Sequence, residues 1–422
     1  MRGVIRELSA AGRDARLFLW FNLLAYIAWG VFQLVFNLYL RALGLNEDAM
    51  GIFAAVQTLG MAAGGAALGV LFVRFGMWAC LVGGIVLFSV SGFGLAFVGA
   101  FPLIVVLGAL TGMGIAAPFT ATMPFIVEAV APSRRQLVST IAYALLGMSF
   151  TLGSLIGGLL PDLLHLPVVN EYRWTLVAGV AAATSSLIPL LLMSRERRSA
   201  HSRGKVSTDV AESPAVKAQG KRDGALFVLV AGLLAAGFGA ILPFYNVYLA
   251  SMGAEARTIG LIYAAAGALQ AIVGLAAPAI NRRIGTLWAT VGFRLAPLPL
   301  FALLLIAPSA ALATLAYVAR AAFYGPTIQA ESVFIVDVLP ASIRSHVFGL
   351  RVTSWNIAWA LSSAAAGWVI VRAGYVPIII AFIVTMLVAN AIYLLYVRQH
   401  PRVTSGEVDG VLPHRAPAPS AG

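Results

Sequence analysis

Charge is scarce in this chain, and its scarcity sets the first limit on what the protein can be. Only 10% of its 422 residues are Asp, Glu, Lys or Arg, against 60% hydrophobic ones, and the mean hydropathy is +0.92. A water-soluble domain of that balance would aggregate, so the expected solvent is a lipid bilayer. Cysteine is scarcer still. Cys80 stands alone, which excludes an intramolecular disulfide and a thiolate metal cluster. The five histidines, His165, His201, His346, His400 and His414, fall in loops or at helix mouths without ligand spacing, so no metal and no cofactor are expected. The phosphate loop Gly-x4-Gly-Lys-[Ser/Thr] is missing, which leaves direct nucleotide-driven pumping without a motor. No Ser/His/Asp set falls at membrane depth, so the chain is not expected to be an enzyme. A removable signal peptide is not expected either, because the first apolar run is long enough to span.

What the chain does hold is apolar runs of about 20 residues, the length that crosses a bilayer. They fall at 15–41, 49–73, 78–99, 102–129, 137–160, 174–193, 224–250, 259–280, 286–307, 312–338, 347–371 and 376–397. The net charge of +12 raises the question of a nucleic-acid partner. With the N-terminus inside, about 21 of the 28 Lys and Arg lie in cytoplasmic segments and about 4 outside (Arg41, Arg173, Arg257, Arg372), the bias that orients membrane proteins. The basic excess therefore reports topology, with both termini cytoplasmic in a plasma membrane, and nucleic acid is not an expected partner. Hydrophobicity collapses over 194–223, read as a cytoplasmic linker between six-span bundles at 1–193 and 224–398. The tail 399–422, with Pro413, Pro417 and Pro419, reads as disordered.

The two halves repeat at an offset of about 209 residues. FNLYLRALGLNEDAMGI from Phe36 lies over YNVYLASMGAEARTIGL from Tyr245, matching Asn37, Tyr39, Leu40, Gly44 and Gly51 to Asn246, Tyr248, Leu249, Gly253 and Gly260. In the same register Arg74 and Gly76 match Arg283 and Gly285, and FIVEAVAPSRR from Phe125 lies over FIVDVLPASIR from Phe334. An even number of spans per half makes the halves parallel, related by an axis along the membrane normal. The expected fold is all-α: twelve transmembrane helices in two six-helix bundles with that pseudo-twofold relation.

At these residues the chain resembles a major facilitator superfamily transporter, from Arg16 to Arg398. The loop between the second and third spans of that family carries Gly-x-x-x-Asp-Arg-x-Gly. Here it reads Gly69-Val-Leu-Phe-Val73-Arg74-Phe-Gly76, and in the second half Pro278-Ala-Ile-Asn-Arg282-Arg283-Ile-Gly285, so the Asp is absent from both copies. An acid-x6-Arg signature is kept as Glu128 to Arg135 and Asp337 to Arg344. The resemblance implies that spans 1, 4, 7 and 10 line a central cavity, and that Arg74, Glu128, Arg135, Arg283, Asp337 and Arg344 sit at cytoplasmic span ends, where as a network they would gate that mouth.

Residue spacing adds its own candidates. In span 1, Asn22, Tyr26, Trp29, Gln33 and Asn37 share a helix face, either lining a wet cavity or bonding between helices. In span 10, Arg320, Tyr324, Thr327 and Glu331 share another, with the two charges roughly 16 Å apart along the axis. Each therefore needs its own partner or water. Measured from the cytoplasmic ends, Glu331 lies roughly 10 Å deep, Arg351 roughly 7 Å and Arg294 roughly 12 Å. Glu331 is expected to pair with Arg351, or else Arg294, and to be released by protonation. The alternatives are a permanent ion pair or contact with a cationic substrate. Arg320 suits an anionic group on a substrate, or carbonyls freed near Gly325 and Pro326. Its counterpart in the first half is Thr111, and that of Glu331 is Thr122. Trp355, one turn after Arg351, suits an amphipathic ligand or plain packing.

These expectations add up to a monomeric secondary transporter of a small organic molecule, working by alternating access and coupled to protons, with export favoured over uptake of an anionic or neutral nutrient. The competing class is a non-transporting receptor or a lipid scramblase.

Overall fold

The computed structural model describes residues 12–131, 134–194 and 214–405, without side chains at 136, 137, 214–217, 278, 326, 329, 333, 337 and 341. Hydrocarbon offers a backbone no hydrogen-bond partner except itself. Accordingly, every regular element among the described residues is helical. The first half holds α1 (Arg13–Ala42), α2 (Glu47–Phe75), α3 (Met77–Phe97), α4 (Phe101–Ala129), α5 (Arg135–Leu164), α6 (Val168–Ser185) and α7 (Leu187–Leu191). The second holds α8 (Pro214–Ile241), a 3-10 turn (Leu242–Phe244), α9 (Tyr245–Ser251), α10 (Ala256–Ile284), α11 (Thr286–Leu295), α12 (Leu298–Leu304), α13 (Ala310–Val338), α14 (Ala341–Ala373), α15 (Val376–Gln399) and α16 (Pro401–Thr404).

Ten helical runs among the described residues are long and apolar enough to cross a membrane, counting α6–α7, α8–α9 and α11–α12 as one each. The long α13 and α14 complete the twelve; they carry Arg320, Glu331, Arg344, Arg351 and Arg372. Two of the breaks fall at prolines, which lack the N–H that continues a helix: Pro243 lies in the 3-10 turn, and Pro297 separates α11 from α12. The repeat is visible in the helix ends. Glu47–Phe75 and Ala256–Ile284 keep one offset, as do Phe101–Ala129 and Ala310–Val338. The turns after α2 and α10 pass through Gly76 at φ 80° and Gly285 at φ 84°, a conformation that a side chain would strain.

Helix α8 is already wound at Pro214, within the stretch read from sequence as linker. Its polar residues are satisfied locally: Gln219 Nε2 donates to Asp223 Oδ1 at 2.8 Å, and Tyr396 donates to the same oxygen. The chain also stays ordered past Gln399 through α16, where Arg402 Nη1 donates to Val338 O at 3.2 Å. The remainder of the linker and the tail from 406 lie outside the described residues.

The helices gather into two compact units that do not follow the chain halves. Unit 1 takes the described residues up to 194 with Leu242–Gly267 and Ser363–Gly374. In it α1 packs on α5 and α6, and α4 packs on α2 and α3, around Phe18, Phe21, Leu68, Phe72 and Phe125. The crossing of α2 and α4 is close: a Cβ on Gly112 would lie 2.0 Å from Gln57 O. At one end of this unit, segments from both halves meet in matched pairs. Asn37 donates to Pro243 O, and Asn246 Nδ2 donates to Leu34 O at 2.7 Å. A Cβ on Gly51 would stand 3.2 Å from Gly367 Cα, and one on Gly260 2.8 Å from Gly158 Cα. Unit 2 takes the described residues of 214–241, 268–362 and 375–405. There α8 packs on α15, and α11 packs on α13 and α15.

A side chain forced into the α2–α4 crossing should act through packing alone. Gly112→Val is expected to cost about 1–3 kcal/mol and lower the melting temperature in detergent, whereas Gly69→Val, where a Cβ meets nothing within 4 Å, should leave it unchanged.

Candidate functional site

Unit 1 carries the neutral polar residues. Tyr26 OH lies 3.4 Å from Thr122 Oγ1, and the Thr122 hydroxyl is spent on Pro118 O at 2.8 Å, which leaves Tyr26 as the donor between them. The Tyr26 ring packs on Phe119 at 4.9 Å, and Trp29 meets Phe119, Phe32 and Phe88. Asn22 is fully buried, and neither atom of its amide finds a hydrogen bond. Thr111 is fully buried too and donates to Gly108 O at 2.8 Å, which removes it from ligand contact in this state. Of the polar residues on this face of α1, only Gln33 is exposed. Asn37 belongs to the inter-half clasp already described.

Unit 2 carries the charge. Helix α13 brings Glu331, 4% exposed, between α11 and α14. Arg294 Nη2 and Arg351 Nη2 each lie 2.9 Å from the same oxygen, Glu331 Oε2. Depth counting favours Arg351 over Arg294 as the partner of this acid; the structure places both on it. The assembly is not saturated. Glu331 Oε1, Arg294 Nη1 and Arg351 Nε are buried without hydrogen-bond partners. Arg294 also lies 5.4 Å from the centre of the Tyr393 ring, and Arg351 5.7 Å from that of Phe348. Two guanidinium groups on one carboxylate leave a surplus positive charge in a low-dielectric interior, where every uncompensated charge is expensive.

Farther along α13, half-buried Arg320 sits among Phe238, Tyr317 and Tyr324, with ring centres 5.8, 5.2 and 5.9 Å from its guanidinium carbon. Trp355 packs on Phe238, Tyr324 and Trp359. Thr327 is buried and donates to Tyr324 O at 2.7 Å.

The residues expected at the cytoplasmic mouth are placed unevenly. Arg135 donates to Val130 O at 3.1 Å and Val127 O at 2.7 Å, while Arg344 donates to Leu339 O at 3.0 Å. Both arginines thus cap the carbonyl end of the preceding long helix, at matching positions of the repeat. Arg74, Glu128 and Arg283 are exposed, and the Asp337 side chain lies outside the described residues.

One buried polar cluster was not anticipated. Asp223 and His400, 1% and 3% exposed, approach to 3.4 Å, with Tyr396 and Gln219 on the same Asp223 oxygen. Its sequence signal is a pair of i, i+4 spacings: Gln219–Asp223, in the stretch read as linker, and Tyr396–His400, which runs from the last span into the stretch read as tail. Among the described residues no group of three or more His, Cys, Asp or Glu is placed to hold a metal ion.

With this geometry in view, comparison with known proteins is informative. A family model described as Major Facilitator Superfamily matches residues 18–330. Organic anion transporter 3 of Homo sapiens and of Pongo abelii are each 35% identical over 130 residues, which is 31% of this chain and 22% of theirs. The chain thus aligns with about a fifth of the length of those relatives. Among solved structures, nucleoside transporter NupG superposes with a TM-score of 0.72 at 13% identity, over 90% of this chain and 98% of that one. A bacterial homolog of the human lysosomal transporter Spinster, inward-facing and unoccupied, gives 0.68 at 15% identity over 90% and 96%. A D-xylose-proton symporter gives 0.66 at 15% over 92% and 97%. At these identities the structural likeness concerns the fold.

The charge arithmetic around Glu331 makes an asymmetric prediction. Glu331→Gln strands buried Arg294 and half-buried Arg351 and should cost about 3–5 kcal/mol, whereas Arg351→Gln leaves a one-to-one pair and should cost less. Thermal unfolding in detergent should rank Glu331→Gln below Arg351→Gln; the reverse order would mean that the surplus charge carries no penalty.

Proposed function

The chain belongs to the major facilitator superfamily, and on that premise we propose that it is a secondary active transporter that moves a small organic molecule across the plasma membrane by alternating access, coupled to protons and directed to export. The observation that carries this reading is Glu331. It is a buried acid on a membrane-length helix, and two arginines from neighbouring helices converge on one of its oxygens. The reading requires that a proton replace a departing arginine as the partner of Glu331 Oε2 and leave when the arginine returns. A group that alternates between these settings as the helices move couples proton transfer to the conformational cycle. Tyr393 lies beside Arg294, and the aromatic side chains beside Arg320, Tyr324 among them, suit an amphipathic cargo.

The second reading is proton-coupled uptake of a small anionic nutrient. It is favoured by the three arginines Arg294, Arg320 and Arg351 set against one acid, and by the partial sequence likeness to organic anion transporters. Both readings place the termini in the cytoplasm and require only one copy of the chain. A receptor or scramblase on the same scaffold would differ from both in showing no saturable flux of a small solute.

Purified protein in liposomes separates these possibilities. With an imposed pH gradient, the unaltered chain should accumulate or expel substrate against its concentration gradient. Glu331→Gln should lose gradient-driven movement while keeping substrate exchange between the two sides. Gradient-driven movement that survives in Glu331→Gln would remove this acid from the coupling. Binding without saturable flux would remove transport altogether.

A further inference from the structure

We infer that Arg320 and the aromatic side chains around it form a recognition site for a planar oxyanion, a carboxylate, carried on an aromatic ring. This deepens the transporter reading and rests on it. A guanidinium stays charged at any depth and offers five N–H donors. Among the described residues no ion pair or hydrogen bond reaches that of Arg320, and its Nε is buried without a partner. Its surroundings are rings instead: Phe238, Tyr317 and Tyr324 lie 5.2 to 5.9 Å away. Ring faces offset part of the cost of a cation in an apolar place, but they accept no hydrogen bonds in the guanidinium plane. The in-plane donors are left for something that binds.

Glu331 does not fill that role. It lies eleven residues along α13, about 16 Å away along the axis, and its bonded oxygen is held by Arg294 and Arg351. The carbonyls near Gly325 do not fill it either, since no bond from Arg320 to them is present. Around Glu331 and Arg320, the described residues of α11, α13 and α14 set Arg294, Arg320 and Arg351 against one carboxylate, and a bound monoanion reduces that local excess of positive charge. A planar oxyanion accepts two parallel N–H bonds from a guanidinium, which a halide or an alcohol does not. The body of the ligand is read from the half-buried rings next to that fork. Tyr324 and Trp355 have centroids 6.5 Å apart at 38°, and Trp355 continues into Trp359 at 6.2 Å. This tilted aromatic surface favours a flat, apolar ring over a sugar or an aliphatic acid.

The test uses the full chain in detergent and in liposomes with four probes: indole-3-acetate, its neutral amide, tryptamine and acetate. Indole-3-acetate should bind at least about tenfold more tightly than the other three, the margin of a charge-assisted hydrogen bond. Arg320→Gln should erase the preference for acid over amide, Arg320→Lys should restore it in part, and Trp355→Leu should weaken acid and amide equally. Equal affinity of the unaltered chain for acid and amide overturns the site, as does an equal loss of both in Arg320→Gln. Retained cooperative melting of each variant, together with the amide's own affinity, separates a lost contact from a lost fold. Saturable flux of neutral solutes with no preference for the acid would sink this site and leave the transporter reading standing; tight binding of indole-3-acetate without flux would do the opposite.

Discussion

A single carboxylate oxygen, Glu331 Oε2, holds two guanidinium groups inside a bundle that has almost no other means of stabilising charge. The local architecture is arranged around that contact. Helix α11 delivers Arg294 from its last turn, just before the break at Pro297. Helix α14 delivers Arg351, α13 delivers the acid, and α15 adds the Tyr393 ring beside Arg294. Neighbouring helices thus meet where hydrophobic attraction alone would give no reason to choose a register, since lipid tails are as apolar as leucine. The polar contact fixes which turn faces which. Its stoichiometry, two cations to one anion, leaves it short of balance.

Elsewhere the chain satisfies polar side chains on backbone carbonyls near helix ends. Trp78 Nε1 reaches Leu190 O at 2.7 Å, Tyr39 OH reaches Ala96 O at 2.7 Å, and Arg173 Nε shares that same carbonyl at 3.0 Å. Arg135 and Arg344 follow the same logic. Terminal carbonyls have no intrahelical donor, so donors placed there meet two needs with one bond. Charge at the ends is therefore absorbed locally, while charge at depth, at Arg320 and around Glu331, is not.

Most of the architecture was legible because bilayer thickness turns hydrophobicity into helix count and a duplicated register turns one half into a ruler for the other. The offset that aligns Gly76 with Gly285 in sequence reappears in two turns of nearly equal φ. What stayed hidden depended on neighbours that hydropathy does not see. Gln219 and Asp223 look like linker residues until Tyr396 and His400 arrive from α15 and its end to cover them. Thr111 has the composition of a cavity residue, yet close crossing of helices seals it. Spacing placed Asn22, Tyr26, Trp29 and Gln33 on one face, but it does not tell which of them a neighbouring helix covers, and here only Gln33 is left open. Depth counting does better around Glu331, because a rise of about 1.5 Å per residue is nearly invariant in a helix.

The clasp at one end of unit 1 has the form of an isologous interface written into a single polypeptide. Asn37 reaches the carbonyl three residues before Asn246, and Asn246 reaches the carbonyl three residues before Asn37. The glycine pairs 51 with 367 and 158 with 260 trade places in the same way. In a symmetric dimer of identical six-helix chains, one asparagine would make both bonds, and any substitution would break both together. Joining the copies end to end removes that obligation. Each half is then free to keep its share of the seam while its interior drifts, so that threonine at 111 and 122 can face a history different from arginine at 320 and glutamate at 331.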